Sequence, residues 1–269
     1  MDDNRTISSD YGPVPDTDTG MAGYVRFAVN GVRVVAREWG EAAIRDLLAF
    51  GTLYDWAAAQ QSSDLMQGRG VSYGVMFPSG VESPGPTAVV VRRNRHGGVL
   101  RFLTGDCFLK PTRALLELET SVRLAAAGVS TPEVIACAVY PIAGVFARSD
   151  VMTRRLPEGA DFPAAWRNVD HAGRQLILAE VAALLRALAR AGAWHADLNL
   201  KNIYISGNGT TLQGYVLDVD RVTFPGAGDV GERNFRRLAR SARKWRDRWG
   251  LDIGEDALAR LADLAREKA

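Results

Sequence analysis

Residues 194–221, WHADLNLKNIYISGNGTTLQGYVLDVDR, decide how the rest of the chain is interpreted. A glycine-containing turn separates two apolar runs, IYI and YVL, and this pattern predicts a β-hairpin. Asp197 and Asn202, with four residues between them, precede the hairpin, and Asp218 and Asp220 follow it. The stretch therefore predicts a hairpin with a carboxylate and an amide before it and carboxylates after it.

This set of side chains suits the transfer of a phosphoryl group. Such a reaction needs a carboxylate that accepts the proton of the attacking hydroxyl, and oxygen ligands that hold Mg²⁺ across the nucleotide phosphates. Asp197 fits the first requirement, and Asn202 with Asp218 fits the second. Any one of them alone is typical of a polar surface loop, whereas all three at this spacing around one hairpin indicate a kinase-type site.

Length and composition are those of a soluble globular protein. With 269 residues, 47% hydrophobic and 24% charged, the chain is long enough for one large domain or two lobes. The net charge of +2 gives no general signal for a polyanion, so we expect no nucleic-acid partner. No run of about 18 apolar residues predicts a membrane span. Cys107 and Cys137 lack metal-type spacing and the start is not a signal peptide, so we expect a cytoplasmic protein, or one attached peripherally to a membrane.

The opening part of the chain contains no chemical motif. We expect residues 1–20 to form a flexible tail and 24–35 to form a hairpin around Asn30-Gly31. The apolar spacing in 41–60 predicts one helix. No chemical role is assigned to this module.

A short glycine-rich run, consisting of Gly68, Arg69 and Gly70, precedes two predicted strands. Because glycine backbone can approach phosphates closely, the run is a candidate cover for a nucleotide, with a plain turn as the alternative. Strand alternation puts Val90 and Arg92 on one face. Arg92 is therefore placed to reach inward under the glycine-rich run, or else to remain a solvated charge at a sheet edge.

A predicted helix at 111–127 contains Glu117. Two interpretations stay open for this carboxylate. It is the acid partner that orients Arg92, or it contacts Arg113 or Ser121 one turn away on a wet face.

We place the boundary between two lobes near residue 155, with 21–155 as the nucleotide-binding lobe and 156–269 as the catalytic lobe. Residues 233–249 predict a basic amphipathic helix, because eight Lys or Arg residues stand against one Asp. Such a helix fits an anionic membrane surface or a phosphorylated lipid, and the alternative is an ordinary solvated face.

The order of these parts resembles that of a protein kinase. More narrowly, the sequence resembles the bacterial 3-deoxy-D-manno-octulosonic acid (Kdo) kinase and lipopolysaccharide kinase family, over roughly residues 67–244. The resemblance rests on Gly68-Arg69-Gly70, VVRRNRHGG at 90–98, residues 113–117, GVSTP at 128–132, residues 195–202, LDVDR at 217–221 and residues 234–244.

The resemblance implies a two-lobed α+β fold of the protein-kinase type, with a β-rich N-terminal lobe and a mainly helical C-terminal lobe. It implies a kinase that uses ATP and Mg²⁺ to phosphorylate the 4-hydroxyl of Kdo on a lipid A precursor, at the cytoplasmic face of the inner membrane. The implied roles are Asp197 as catalytic base, Asn202 and Asp218 as metal ligands, Arg92 in place of the kinase strand lysine, Glu117 as its partner, and Gly68, Arg69 and Gly70 as cover for the phosphates.

Some residues depart from the protein-kinase pattern. Arg92 carries a planar, permanently charged guanidinium group where protein kinases have the compact ammonium group of a lysine. Asp220 stands where protein kinases have glycine, and Ala196 stands where they have arginine. No Ala-Pro-Glu segment follows, which favours an open groove for a sugar over a peptide site. Three hypotheses stay open: a Kdo kinase, a kinase of another acceptor (a heptose, a small metabolite or a protein), and a nucleotide-binding pseudokinase.

Overall fold

A computed structural model describes residues 21–60, 64–67, 71–78, 85–94, 108–109, 113–143, 146–208, 211–226 and 228–267. The predicted tail at 1–20 and the glycine-rich run of Gly68, Arg69 and Gly70 lie outside these residues. None of the helices in the described ranges has the length and apolar character needed to cross a membrane.

The first half of the chain forms an antiparallel sheet of eight strands. The strands are β1 (Tyr24–Val29), β2 (Val32–Arg37), β3 (Asp64–Gln67), β4 (Val71–Phe77), β5 (Thr87–Arg93), β6 (Phe108–Leu109), β7 (Val134–Ala143) and β8 (Phe146–Arg154). Their order is β1-β2-β7-β8-β5-β4-β3, and β6 pairs with β8. Arg92 of β5 lies opposite Ser72 of β4 and Val151 of β8, so it is inside the sheet and not at an edge.

The opening module extends this sheet. Asn30 and Gly31 both have positive φ, 50° and 80°, as a two-residue turn of type I′ requires. The predicted hairpin at 24–35 is therefore confirmed, and its second strand pairs with β7.

The prediction of one helix over 41–60 is wrong. The structure has two short helices, α1 (Glu41–Leu48) and α2 (Leu53–Ala58). The Thr52 side chain accepts a hydrogen bond from Asp55 N and so caps the start of α2. A local polar cap thus outweighs the apolar spacing, and α2 turns to pack against β4, β5 and β8.

The predicted helix at 111–127 is confirmed as α3 (Arg113–Ala126), which stops where Gly128 adopts a φ of 75°. It packs on β7 and on the 3₁₀ turn Val219–Arg221. The helix therefore connects the sheet with the segment that follows Asp218.

The second half of the chain is mainly helical. Its elements are β9 (Gly159–Asp161), α4 (Phe162–Arg167), α5 (His171–Arg190), β10 (Trp194–His195), β11 (Ile203–Asn208), β12 (Thr211–Val216), β13 (Val222–Thr223), α6 (Val230–Trp249) and α7 (Glu255–Arg266). The core of this half surrounds α5, which buries Ile177, Leu178, Val181, Leu184, Leu185 and Leu188. The division into lobes at residue 155 stays a prediction.

The predicted central hairpin is confirmed by β11 and β12, where Ile203 lies opposite Val216. A second pairing, between β10 and β13, joins Trp194 to Thr223. Together these pairings bring the segment before β11 beside the segment after β12.

Candidate active site

The segment predicted to be catalytic, residues 196–202, is called the catalytic loop below, and it is held by its own side-chain amides. Asn199 Nδ2 and Asn202 Nδ2 each donate to the Asp197 carbonyl oxygen at 2.9 Å. Asn199 Oδ1 also accepts from Lys201 N at 2.9 Å. These bonds fix the backbone at Asp197, while its side chain keeps 32% exposure and can meet a substrate.

The segment after β12 is tied to this loop through the backbone. Leu217 N donates to the Asn202 carbonyl oxygen at 2.9 Å. The next residue, Asp218, adopts the left-handed conformation, with φ 55° and ψ 46°. This conformation is uncommon outside glycine, and where the surroundings enforce it, it is typical of functional sites.

Asn202 and Asp218 supply the oxygen donors that Mg²⁺ prefers. Because Asn202 Nδ2 is committed to the Asp197 carbonyl, Oδ1 is the amide atom left for a cation. In the described part of the chain no group of three or more His, Cys, Asp or Glu forms a metal cluster. The amide oxygen of Asn202 and the carboxylate of Asp218 are chemically suited to a Mg²⁺ ion, which in proteins commonly takes further ligands from nucleotide phosphates and water.

His195 joins the two segments and is fully buried. Its Nδ1 accepts from Asp197 N at 3.2 Å, which requires the ring proton on Nε2, and Nε2 donates to the Leu217 carbonyl oxygen at 3.0 Å. Burial lowers the pKa of His195, although the Leu217 bond and the carboxylate of Asp218 act in the opposite direction. The sequence analysis gave His195 no role, because a partner 22 positions away leaves no local signal.

Arg92 and Glu117 form an ion pair between β5 and α3, made through Arg92 Nη2 and Glu117 Oε1. Arg92 Nη1 also donates to Asn94 Oδ1 at 3.0 Å. Burial raises the pKa of Glu117 despite the neighbouring guanidinium, and Asp220 adds to the rise. The structure thus brings together the predicted pair of Arg92 and Glu117. The alternative contact of Glu117 with Ser121 is wrong, because the Ser121 hydroxyl donates to a backbone carbonyl. The role of Arg92 and Glu117 toward a nucleotide stays a prediction.

One face of α6 also reaches the catalytic loop, which the sequence analysis missed. Asn234, fully buried, accepts from His195 N through Oδ1 at 3.1 Å. Arg237 Nη2 donates to Asp197 Oδ1 at 3.2 Å. An asparagine on the apolar face of an amphipathic helix was the signal that could have indicated these contacts.

The outer face of α6 carries less free charge than its sequence indicates. Arg236 pairs with Glu232 at 2.7 Å, and Arg243 and Arg246 both pair with Glu255, at 2.7 and 2.8 Å. A groove of about 410 Å³ runs along this face, lined by Phe235, Arg236, Ala239, Arg240 and Arg243. The lining combines two apolar side chains, Phe235 and Ala239, with three arginines.

The sequence of the chain matches a model of a known protein family. Residues 56–254 match the model described as the lipopolysaccharide kinase (Kdo/WaaP) family. The chain is 32% identical over 200 residues to a 3-deoxy-D-manno-octulosonic acid kinase of Stenotrophomonas maltophilia, covering 72% of this chain and 74% of that protein. It is 27% identical over 206 residues to the kinase of the same name from Vibrio vulnificus, covering 75% and 81%.

Among solved structures, the chain resembles that of WaaP in complex with acyl carrier protein, with a TM-score of 0.55 at 17% identity. The likeness covers 88% of this chain and 90% of the other. It confirms the predicted α+β fold of the protein-kinase type, with a β-rich first half and a helical second half.

Proposed function

Because the chain belongs to the lipopolysaccharide kinase (Kdo/WaaP) family, we propose that it transfers the γ-phosphate of ATP to the 4-hydroxyl of Kdo on a lipid A precursor. The chain is a phosphotransferase that acts on a sugar hydroxyl. Kdo as the acceptor is supported by the names of the related kinases. The observation that carries the proposal is the pair of hydrogen bonds made by the His195 ring, one with Asp197 N and one with the Leu217 carbonyl oxygen. This junction keeps Asp197 beside the segment that contains Asp218.

The proposed step uses Asp197 as the base. The sugar hydroxyl attacks the γ-phosphorus in line as its proton passes to the Asp197 carboxylate. The new O–P bond forms while the bond from the γ-phosphorus to the bridging oxygen breaks, and that oxygen leaves with ADP. Arg92, oriented by Glu117, offsets negative charge on the phosphates.

Asn202 Oδ1 and the Asp218 carboxylate are the groups that would hold Mg²⁺. When bound, the ion neutralises phosphate charge and keeps the triphosphate in a reactive orientation. The protein's own part is to fix both ligands, through the Asn202 contact with the Asp197 carbonyl and the hydrogen bond from Leu217 N to the Asn202 carbonyl.

A sugar fits the surroundings better than a peptide does. Only nine residues separate Asp220 from the start of α6, and no helical subdomain for peptide docking follows within the described residues. The Asp197 carboxylate is partly exposed and contacts Arg237 of α6.

The experiment is phosphate transfer from ATP to a Kdo-lipid A precursor, with the 4-deoxy form of the acceptor as chemical control. Asp197→Asn should lower the turnover rate by at least about 100-fold without abolishing ATP binding. Asp46→Asn, an exposed carboxylate on α1, is the matched control and should leave the rate unchanged. Transfer only to a heptose, metabolite or protein would reassign the acceptor. Tight ATP binding without transfer to any of them would indicate a pseudokinase.

We also propose that the enzyme works at the cytoplasmic face of the inner membrane, held there by the outer face of α6. The arginine-lined groove supports this placement, as does Trp249 at the end of the same helix, which is 49% exposed. Tryptophan and arginine side chains favour the headgroup region of an anionic bilayer.

A further inference from the structure

The inner face of α6 is anchored at both ends of the catalytic loop. At one end, Asn234 Oδ1 accepts from His195 N at 3.1 Å. At the other end, Ser241 Oγ accepts from Leu200 N at 3.1 Å. Positions seven apart share one face of a helix, so these bonds align this face with the loop.

Arg237 lies between the two anchors, on the same face. Its Nη2 donates to Asp197 Oδ1 at 3.2 Å, and the side chain is 37% exposed. Its Nε is buried and has no hydrogen-bond partner among the described residues. The guanidinium is therefore placed by the helix and committed to the carboxylate that we assign as the base.

Two other cations of the candidate site have carboxylate partners of their own. Lys201, within the loop itself, directs Nζ to Asp161 Oδ2 at the start of α4. Arg92 is paired with Glu117 between β5 and α3. Arg237, by contrast, contacts the Asp197 side chain, and it does so from α6, outside the loop itself.

We propose, on the basis of the function proposed above, that Arg237 is a positioning residue for phosphoryl transfer. It fixes the Asp197 carboxylate through Oδ1, so that the base meets the acceptor hydroxyl in one orientation. It also offsets negative charge where Asp197, Asp218 and the triphosphate come together, and where the acceptor is itself a sugar acid. The guanidinium group of an arginine suits this task better than the ammonium group of a lysine, because its planar N–H donors hold a carboxylate in a defined direction.

The test compares Arg237→Gln, Arg237→Lys and Arg237→Ala with the wild type in the Kdo-lipid transfer assay. Arg248→Gln, an exposed arginine further along the same helix, is the control for loss of one charge. We expect Arg237→Gln to lower kcat about 10- to 100-fold, with KM for ATP within about twofold of wild type. Arg237→Lys should keep part of the rate, and millimolar guanidinium should partly restore Arg237→Ala.

The outcomes separate this inference from the proposed function. No transfer by the wild type to the Kdo acceptor counts against the proposed function. If the wild type transfers phosphate and Arg237→Gln has the same kcat as Arg248→Gln, the inference alone is overturned. The inference is also overturned if the loss of kcat comes with weaker ATP binding and a lower melting temperature and is not restored by guanidinium, because a packing defect would then explain the loss.

If Arg237→Gln and Arg237→Ala both fail to fold, the decision rests on Arg237→Lys. A wild-type kcat for Arg237→Lys overturns the inference, and a reduced kcat at unchanged melting temperature supports it.

Discussion

His195 and Leu217 are joined by a hydrogen bond of 3.0 Å from the imidazole Nε2 to the backbone carbonyl. The other ring nitrogen accepts from Asp197 N at 3.2 Å. One buried ring thus sets the spacing between the loop of Asp197 and the segment of Asp218. Because Nδ1 must accept, the bridge requires a neutral ring, and the lowered pKa of His195 agrees with this requirement.

Acidification should weaken this junction. The pKa of His195 is lower in the folded chain than the value of about 6.5 for an unfolded chain, so the folded state binds fewer protons. Its contribution to the free energy of unfolding is therefore complete above about pH 6.5 and is lost as the pH falls from there toward the lower folded value. Urea unfolding between about pH 8 and pH 5 should show a steeper loss for the wild type than for His195→Gln. Parallel curves for the two proteins would contradict the bridge.

Asp218 allows activity and stability to be separated. Asparagine and aspartate are among the few non-glycine residues that adopt the left-handed backbone, so Asp218→Asn should keep the melting temperature while transfer falls by at least about 100-fold. Asp218→Ala should lose activity and also about 1 kcal/mol of stability, because alanine is strained at a φ of 55°. Equal melting temperatures for the two variants would show that the backbone at Asp218 is not strained.

The sequence predicted those parts of the site that lie close together along the chain. Asp197, Asn202 and Asp218 surround a single hairpin, and a turn between apolar runs is enough to predict that hairpin. Arg237 was missed because it lies 40 positions from Asp197, where only the packing of α6 decides its partner. The break between α1 and α2 was also missed, because it depends on the side chain of a single residue, Thr52, which caps the start of α2.

The ion pair of Arg92 and Glu117 should be sensitive to exchange of either member. Lysine cannot donate to both Glu117 and Asn94 in the planar arrangement of Arg92, so Arg92→Lys should weaken ATP binding on the order of tenfold. Glu117→Gln should cost about 1–3 kcal/mol of stability, since it removes the charge partner of Arg92. The control is Glu119→Gln on the exposed face of α3, for which we expect no change in calorimetric ATP affinity or melting temperature. If Glu117→Gln shows the same ATP affinity and melting temperature as this control, the ion pair contributes neither to ATP binding nor to stability.

A buried carboxylate should fasten the opening module to the sheet. Asp150 of β8 is fully buried and accepts from Tyr54 N at 3.0 Å and from Arg93 Nε at 3.2 Å. Asp150→Ala removes the buried counter-charge of Arg93, whose side chain is only 14% exposed, and we expect a loss of about 3 kcal/mol in the free energy of unfolding. Asp55→Ala, which breaks the exposed contact with the same arginine, should cost less than about 1 kcal/mol. Similar losses for both variants in urea would mean that α2 is not held through Asp150.

Membrane association through α6 should depend unequally on its arginines. Arg236 and Arg243 are already paired with Glu232 and Glu255, whereas no ion pair to Arg240 is found among the described residues. Charge reversal at Arg240 should therefore account for most of the loss, on the order of 1 kcal/mol, in binding to anionic vesicles.

The vesicle experiment compares phosphatidylcholine vesicles with and without phosphatidylglycerol, by co-sedimentation at low and physiological salt. Reversal at Arg236, Arg240 and Arg243 together should lower binding to the anionic vesicles and leave ATP binding intact, because these side chains face away from Asp197. Salt should weaken wild-type binding in the same direction, since surface attraction falls off within a Debye length. The matched control reverses three exposed arginines outside α6: Arg26, Arg33 and Arg260. Equal binding by the two triple variants would make the outer face of α6 an ordinary solvated surface.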